Sequence, residues 1–396
     1  MDSSRKNSTL YIDTEALSTL ALVQAGLISP VEKLMNEEEA KGVDKTHFFQ
    51  GVPFPFAFIL APKGKRNEQT LKQLQKGECV DLVNDGKKVG ELIVDETFNI
   101  DPIQRVYNIY GTADTTHPGV KNTMARLGKI AVSGEYHVTY PLIEDNMKRI
   151  RQMITKTGAK FVSSMMIAAN PLNRAHERMI RQAITDADLL VIFLRKPFTN
   201  EGLRYDIRYN ALNTFIDNFI PRNKVLIIPF ENTYIFAGFN ELILDAILAK
   251  NYGCQQLIIG KNHGGLGLYY DQNRLNSVFD HCKSIDIHIK TVDEYVYCDT
   301  CKTLVSTSTC PHGQHHHVHY HSESIMKLIQ SGLIPPSILV RKEVSANILA
   351  SLFPERFENL QEMHYSLMPG SGLLEQQSEE QFYLKLIELY QTSSLT

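Results

Sequence analysis

The chain has 396 residues, which suggests two or three domains and a full hydrophobic core that needs no disulfides. Lys and Arg number 41 against 44 Asp and Glu, and this near balance argues against a protein devoted to nucleic acid or an anionic membrane. No apolar stretch approaches the roughly 18–20 residues of a membrane span, and the N-terminal residues are polar. We therefore expect a cytoplasmic protein that binds neither nucleic acid nor a membrane.

The first 150 residues are predicted to form a strand-rich domain. Asn84-Asp85-Gly86, between two alternating apolar runs, predicts a β-hairpin. Helices are expected at Thr14–Gln24 and at Ser29–Ala40, the second opening at a Ser-Pro pair that suits a helix start. Short apolar runs are taken as strands at Phe54–Leu60, Val89–Val94 and Arg105–Tyr110.

From about residue 145 the sequence alternates between helices and continuous apolar strands. This alternation predicts a parallel sheet that is covered by helices on both faces. Ligands of such sheets bind outside the carboxyl ends of the strands, so the loops 168–173 and 260–267 are candidate sites. After residue 323 the chain is again helical, up to a last helix at Glu379–Tyr390. The predicted helices are Asp145–Thr157, Arg174–Thr185 and Glu241–Asn251, and the predicted strands are Ala159–Ile167, Asp188–Leu194, Lys224–Pro229 and Gln255–Ile259.

Two loops carry the residues that could bind a ligand. The first runs from Asn170 to Glu177 and enters a helix, whose free backbone N–H groups and dipole attract anions. The second runs from Gly260 to Gly267 with four glycines in eight residues, which lets the backbone approach a ligand closely. Either loop taken alone is better explained as an ordinary turn.

Together and in this order, the loops resemble those of the ATP sulfurylase (sulfate adenylyltransferase) family. That family carries Q-T-R-N-P-x-H-R-A-H at the first loop and G-R-D-H-A-G at the second. Its G-T-x-D-x-x-H-P-G-V segment matches Gly111–Val120. Further matches are Ala237-Gly238 with Glu241, the run Lys250–Cys254, and Pro335-Pro336 with Arg341 and Glu343-Val344.

The resemblance implies an α/β protein with three parts. These are a PUA-like mixed β domain at residues 1–150, a Rossmann-like nucleotidyltransferase domain at 151–295, and a zinc-binding and helical region at 296–396. Family members commonly self-associate, so the chain is expected to form a homo-oligomer. PUA-like domains bind RNA in other proteins, but the absence of a basic excess indicates a structural domain here.

The resemblance also implies an activity and a set of residues. ATP, with Mg²⁺, and sulfate would be converted to adenosine 5′-phosphosulfate and pyrophosphate. Asn170, His176 and Lys261 are the expected catalytic residues, with Lys261 standing where the family has an Arg. The expected ATP-binding residues are Asn170, Asn173, His176, Gly260, Lys261, His263, Gly264 and Gly265.

The sulfate side of the site departs from the family pattern. Where the family has Gln-Thr-Arg, the chain has Ile167-Ala168-Ala169, so the Gln and Arg expected to hold sulfate are absent. Sulfate is already ionised, so its attack on ATP depends on cations that position two anions and neutralise developing charge. Three interpretations follow: a working sulfate adenylyltransferase in which Lys261, Arg174 or another cation supplies the charge, an adenylyltransferase with a less charged acceptor, and a silent protein that keeps nucleotide or partner binding.

A cluster of cysteines and histidines predicts a structural zinc site. Cys298 and Cys301 have the two-residue spacing that brings two thiolates onto one tetrahedral ion, and Cys310 follows after eight residues. A closed site of this kind leaves no position for water, and some bacterial members of the family carry a similar pattern. The expected ligands are Cys298, Cys301, Cys310 and His315, with His312, His316 and His317 as alternatives for the fourth.

Two other features are interpreted first as structural or surface groups, without a role in binding. His117, within Thr-Thr-His-Pro-Gly-Val, is expected to be a turn residue that bonds to the backbone. The basic group from Arg204 to Arg208 is expected on a solvated face, with contact to an ATP phosphate as the alternative.

Overall fold

A computed structural model describes residues 7–196, 202–231, 241–260, 282–367 and 374–390 of the chain. Contacts divide the chain into two units, and each unit is built from two separate stretches of sequence. The first unit holds residues 1–165 and 229–291, and the second holds residues 166–228 and 292–396.

The alternating apolar residues of the first stretch form the strands β1 Ser8–Tyr11, β2 Phe48–Phe49, β3 Val52–Pro53, β4 Leu60–Pro62, β5 Cys79–Asn84, β6 Lys87–Asn99 and β7 Leu127–Val138. Five of them form one sheet in the order β1-β5-β6-β7-β4, with β1 and β5 parallel. The predicted hairpin is confirmed, because β5 pairs antiparallel with β6 across Asp85-Gly86. The positive φ angles of these two residues, 47° and 75°, suit a two-residue turn that follows the twist of the strands.

The helices of this stretch are α1 Thr14–Gln24, α2 Glu37–Thr46, α3 Lys65–Gln73, α4 Pro102–Tyr110, α5 Pro118–Arg126 and α6 Pro141–Thr157. The prediction of α1 is confirmed, whereas the helix predicted at Ser29–Ala40 is wrong. Here α2 begins only at Glu37, because Asn36 and Glu39 form a capping box in which each side chain accepts the other residue's backbone N–H. A reciprocal cap satisfies two N–H groups that a helix start otherwise leaves free, and it fixes the start there.

Two strand predictions in this region are also wrong. Arg105–Tyr110 lies in α4, where the Asp101 side chain accepts the Ile103 N–H and Pro102 occupies the first helical position. Aspartate before proline is a helix-start signal, and it prevails over a short apolar run whose periodicity is ambiguous. Residues 54–59 are buried but irregular, so only Leu60 of the predicted strand Phe54–Leu60 lies in β4.

The predicted alternation of helix and strand is confirmed between residues 141 and 292. The elements are β8 Val162–Ile167, α7 Arg174–Asp186, β9 Leu189–Lys196, α8 Tyr205–Phe219, β10 Val225–Glu231, α9 Glu241–Asn251, β11 Gln256–Gly260 and β12 His288–Val292. The strands follow the order β10-β9-β8-β11-β12, and β8 runs parallel to β11. All six residues of β8 and residues 189–194 of β9 are buried, as a sheet covered on both faces requires.

The described residues of the last stretch form a small sheet and four α-helices. Its elements are β13 Tyr295–Cys298, β14 Thr303–Ser306, β15 His317–Val318, α10 Ser322–Gln330, α11 Lys342–Leu352, α12 Arg356–Leu367 and α13 Glu379–Tyr390. The small sheet has the order β14-β13-β15, and α13 has the predicted bounds. Among the described residues, no helix combines the length and the apolar character needed to cross a bilayer.

Candidate functional site

The first candidate loop joins β8 to α7, and Asn173 forms the cap at its end. The Asn173 Oδ1 accepts the backbone N–H groups of Ala175 and His176 at 3.1 and 3.2 Å. The Asn173 carbonyl accepts the Glu177 N–H at 3.2 Å, and the Arg174 N–H donates to the Leu339 carbonyl at 2.8 Å. The first four N–H groups of α7 therefore all have acceptors within the chain. These N–H groups are therefore not free to bind an anion, in contrast to the anion site expected at this helix start. Asn173 acts as the N-cap of α7.

Asn170 has one half of its amide fixed by the protein. Its Oδ1 accepts the Leu203 N–H at 2.9 Å. Gly202 has a φ of +82°, and a Cβ there would lie 2.2 Å from the Asn170 Nδ2, so only glycine fits beside the amide. With Oδ1 occupied, Nδ2 is the group of Asn170 that can donate to a ligand.

His176 is held in the same way. Its Nδ1 accepts the backbone N–H of Asn173 at 3.3 Å. Burial lowers the pKa of His176 to about 4, so the ring is neutral at pH 7. Because Nδ1 is an acceptor, the proton of the neutral ring lies on Nε2, which can donate to an anion.

Ile167 and Ala169, which the resemblance aligns with the family's Gln and Arg, present no polar side chain. Ile167 and Ala169 are buried, and Ala168 between them is exposed. Ala169 has a φ of 47°, in the left-handed region that residues other than glycine seldom adopt. The alanine therefore stands at a turn that constrains the backbone just before Asn170.

Arg174, one of the cations expected to supply charge, is already engaged. Its Nη1 donates to the Glu177 carboxylate at 3.3 Å and its Nε to the Ser337 carbonyl at 3.1 Å. Arg341 also donates to Glu177, at 2.8 Å from its Nη2. The other candidate, Lys261, lies outside the described residues.

The second candidate loop is described only at its first residue. Gly260 is the last residue of β11 and is half-buried. The remaining residues predicted to bind ATP on this loop, Lys261, His263, Gly264 and Gly265, lie outside the described residues.

The structure places Arg208 against the first loop, whereas the sequence favoured a solvated face for the run from Arg204 to Arg208. Arg208 is 2% exposed and donates to three backbone carbonyls, so the expected solvated position is wrong for this residue. Arg204 is exposed and pairs with Asp206, as a surface group would. His117, by contrast, behaves as expected, because its Nδ1 accepts the Gly119 N–H at 3.1 Å and caps α5.

The cysteine–histidine cluster forms between the β13–β14 turn and the following loop. The Nδ1 of His312 lies 3.4, 3.3 and 3.5 Å from the sulfurs of Cys298, Cys301 and Cys310. The sulfurs of Cys301 and Cys310 are 3.9 Å apart. Tetrahedral zinc, with bonds of about 2.3 Å to sulfur and 2.0 Å to nitrogen, needs ligand separations of about 3.8 Å and 3.5 Å. These four atoms therefore fit a zinc ion.

His315, the predicted fourth ligand, is not part of this group. After Gly313 the chain enters a short 3₁₀ helix, Gln314–His316, and His315 is exposed against the ring of His316 at 4.1 Å between centroids. His316 is held by Asp299, whose Oδ1 lies 2.7 Å from its Nδ1. The structure thus brings His312, one of the alternatives, to the three sulfurs, and the identity of the fourth ligand stays a prediction.

The environment of Cys298 favours the ligand form of its side chain. Burial disfavours the thiolate, but the backbone N–H groups of Cys301 and Thr300 stabilise it and bring the pKa to about 7. The Cys301 N–H lies 3.4 Å from the Cys298 sulfur. A thiolate held by backbone donors on a tight turn is ready for a metal ion.

An N-terminal β domain followed by alternating strands and helices, with β8 and β11 parallel, defines a protein of the α/β class. The sequence pattern of the ATP-sulfurylase family matches residues 143–351, and that of the PUA-like domain matches residues 1–140. The chain therefore belongs to the ATP-sulfurylase family, a class of adenylyl-transferring enzymes, and it carries a PUA-like first domain.

Similar proteins span most of the chain. A sulfate adenylyltransferase of Chloroflexus aurantiacus is 28% identical over 352 residues, covering 86% of this chain and 90% of the relative. One of Psychrobacter sp. is 27% identical over 341 residues, covering 82% and 80%. A solved structure titled hexameric APS kinase from Thiobacillus denitrificans has a TM-score of 0.66 at 17% identity. It matches 89% of this chain, which spans 64% of that structure's chain, and the likeness supports the fold alone.

Proposed function

We propose that the chain binds Mg-ATP at the loop from Asn170 to His176 and transfers the adenylyl group to sulfate. The observation that carries this proposal is the paired geometry of two of the polar residues on that loop, Asn170 and His176. Asn170 and His176 each commit one polar atom to the backbone and keep one N–H donor for a ligand. Two fixed donors of this kind suit the phosphate oxygens of a nucleotide.

The reaction would be an in-line displacement. A sulfate oxygen attacks the α-phosphorus of ATP, the bond to the bridging oxygen of pyrophosphate breaks, and pyrophosphate leaves with the magnesium ion. No proton has to be removed from sulfate, so the protein supplies position and positive charge. Asn170 and the neutral His176 would donate to phosphate oxygens, and Lys261 would take the place of the family arginine.

A second candidate acceptor, less charged than sulfate, is favoured by one observation. Ile167 and Ala169 are buried and apolar where the family has a Gln and an Arg. A dianion placed against such a wall would lose hydration without gaining partners, which is strongly unfavourable. We therefore expect sulfate to bind weakly, with a high KM, and a less charged acceptor to compete well.

Exchange of labelled pyrophosphate into ATP tests the function. Sulfate-dependent exchange supports the first proposal, and exchange that needs another small acceptor supports the second. Nucleotide binding without exchange on any acceptor tried would mean that the protein is catalytically silent. Failure to bind Mg-ATP at all would overturn both proposals.

The variant Asn170→Asp is the sharpest test of the nucleotide site. Aspartate keeps an oxygen to accept the Leu203 N–H, so the loop is retained, but the donor Nδ2 becomes a charged oxygen that repels phosphate. We expect Mg-ATP affinity to fall about 100-fold, because a hydrogen bond to a charged group is worth about 1.5–3 kcal/mol and the new negative charge adds repulsion. Titration calorimetry measures this, and unchanged affinity would show that Asn170 does not touch the nucleotide.

We further propose that Cys298, Cys301, Cys310 and His312 hold a structural zinc ion. All four positions of a tetrahedral ion would be filled by protein atoms, so its role would be to fix the β13–β14 turn to the following loop. Cysteines that bind a metal and form no disulfide are typical of a reducing compartment, which supports a cytoplasmic location. The family resemblance supports a homo-oligomer, which light scattering on the purified protein tests.

A further inference from the structure

Arg208 is a buried cation whose hydrogen bonds all go to main-chain oxygens. Its Nη1 donates to the carbonyls of Ala168 and Arg195 at 2.7 and 2.9 Å, and its Nε donates to the Leu203 carbonyl at 3.0 Å. Within the described part of the chain it has no carboxylate partner, and its Nη2 has no hydrogen-bond acceptor. Burying a charge without a carboxylate partner costs folding free energy. The burial of Arg208 therefore suggests that it has a role beyond stabilising the fold.

The three carbonyls belong to three segments that meet beside the nucleotide loop. Ala168 follows β8, Arg195 lies near the end of β9, and Leu203 precedes α8. Leu203 contacts both residues: its carbonyl accepts from Arg208, and its N–H donates to the Asn170 Oδ1 at 2.9 Å. The guanidinium therefore closes a ring that runs from Ala168 through Asn170 and Leu203 back to Arg208.

We propose that Arg208 is a positioning residue of the nucleotide site. By fixing the Leu203 carbonyl, it holds the backbone residue whose N–H orients the Asn170 amide, and by fixing the Ala168 carbonyl it sets the turn that carries Asn170. This inference rests on the proposed function, in which the Asn170 amide donates to an ATP phosphate. The planar fork of an arginine suits the task, since one group reaches three oxygens in fixed directions.

The charge of Arg208 adds a second contribution. The guanidinium lies against the turn in which Ala169 replaces the family arginine. In a buried environment a fixed charge acts more strongly on nearby anions than it does in water. Arg208 thus supplies positive charge next to a turn, residues 167–169, whose own side chains carry none.

Two substitutions separate these contributions. Arg208→Met removes both the fork and the charge, and we expect kcat/KM for Mg-ATP to fall about 100-fold, since a misplacement of about 1 Å costs that much. Arg208→Lys keeps the charge but cannot bridge three carbonyls, so we expect a loss of at least about tenfold. Arg105→Met and Arg105→Lys are matched controls, because Arg105 is also buried but lies in α4 of the first unit. They should change stability and leave KM and kcat unchanged.

Chemical rescue adds a readout that a purely structural role would not move. Guanidinium ion, added to Arg208→Ala far below unfolding concentrations, should restore part of the exchange rate and leave Arg105→Ala unaffected. If Arg208→Met or Arg208→Ala fails to fold, Arg208→Lys carries the test. Folded Arg208 variants with wild-type Mg-ATP affinity and kcat/KM would overturn this inference alone. A wild-type protein that does not bind Mg-ATP would overturn the proposed function first.

Discussion

The polar side chains of the first loop each serve the fold with one atom. The Asn170 Oδ1 accepts the Leu203 N–H, and the His176 Nδ1 accepts the Asn173 N–H. The Asn173 Oδ1 accepts a backbone N–H at the start of α7. For Asn170 and His176 this leaves a donor whose direction is already set. A donor fixed before binding needs no reorganisation when charge develops on a substrate, and it is therefore effective in catalysis.

The low pKa of His176 predicts a pH dependence of stability. The folded state keeps the ring neutral down to about pH 4, whereas an unfolded histidine takes up a proton near pH 6.5. The stabilisation is therefore complete above about pH 6.5 and declines as the pH falls toward 4. Between pH 7 and 5 we expect the wild type to lose about 1–2 kcal/mol more unfolding free energy than His176→Gln. Urea unfolding at both pH values measures this, and parallel pH profiles for the two proteins would contradict it.

At the scale of elements, the sequence predicts best where one signal is strong and local. The apolar strand Leu189–Leu194, the helix Glu241–Asn251 and the turn at Asp85-Gly86 all form as expected. The strand predicted at Arg105–Tyr110 was wrong, because a short apolar run fits the helical and the strand periodicity equally. The preceding Asp-Pro pair starts a helix there. The predicted domain boundaries at residues 150 and 295 stay a prediction.

For the candidate site, too, only contacts between residues close in sequence could be predicted. The residues of the first loop are adjacent in sequence and could be predicted together. Their supports are not, because Leu203 and Arg208 lie more than 30 residues further along the chain and reach the loop only in the folded structure. The burial of Arg208 has no local signal either, since the run from Arg204 to Arg208 has the composition of a surface segment.

The zinc loop gives an element-scale prediction with a matched pair. His312→Ala removes the nitrogen that lies within 3.5 Å of all three sulfurs, and His315→Ala removes an exposed ring of the same loop. We expect the first variant to lose at least about 100-fold in zinc affinity and to unfold at a lower temperature. The second should behave as wild type in metal analysis and thermal unfolding. Zinc loss in His315→Ala alone would show that the predicted ligand was correct and His312 was not.

At the scale of the whole molecule, the proposed reaction requires a protein of net charge −3 to bring two negatively charged substrates together. The balance of 41 basic and 44 acidic residues means that attraction has to come from a few fixed cations and not from the overall field. Among the described residues, Arg174 and Arg341 are paired around Glu177, whereas Arg208 lies against the first loop without a carboxylate partner. Of these three arginines, Arg208 is therefore the one whose charge is not offset by a neighbouring carboxylate in the described part of the chain.

The same charge balance predicts that the PUA-like domain does not make this chain an RNA-binding protein. Affinity for nucleic acid comes largely from the release of counterions by many Lys and Arg contacts, and that requires a basic surface. We expect binding of single-stranded RNA to be weaker than about 10⁻⁴ M at physiological salt, and the addition of Mg-ATP should not change it. Fluorescence anisotropy with a labelled oligonucleotide measures this, with a basic RNA-binding protein as the positive control. Saturable binding that weakens steeply with salt would show that a basic surface forms despite the overall balance.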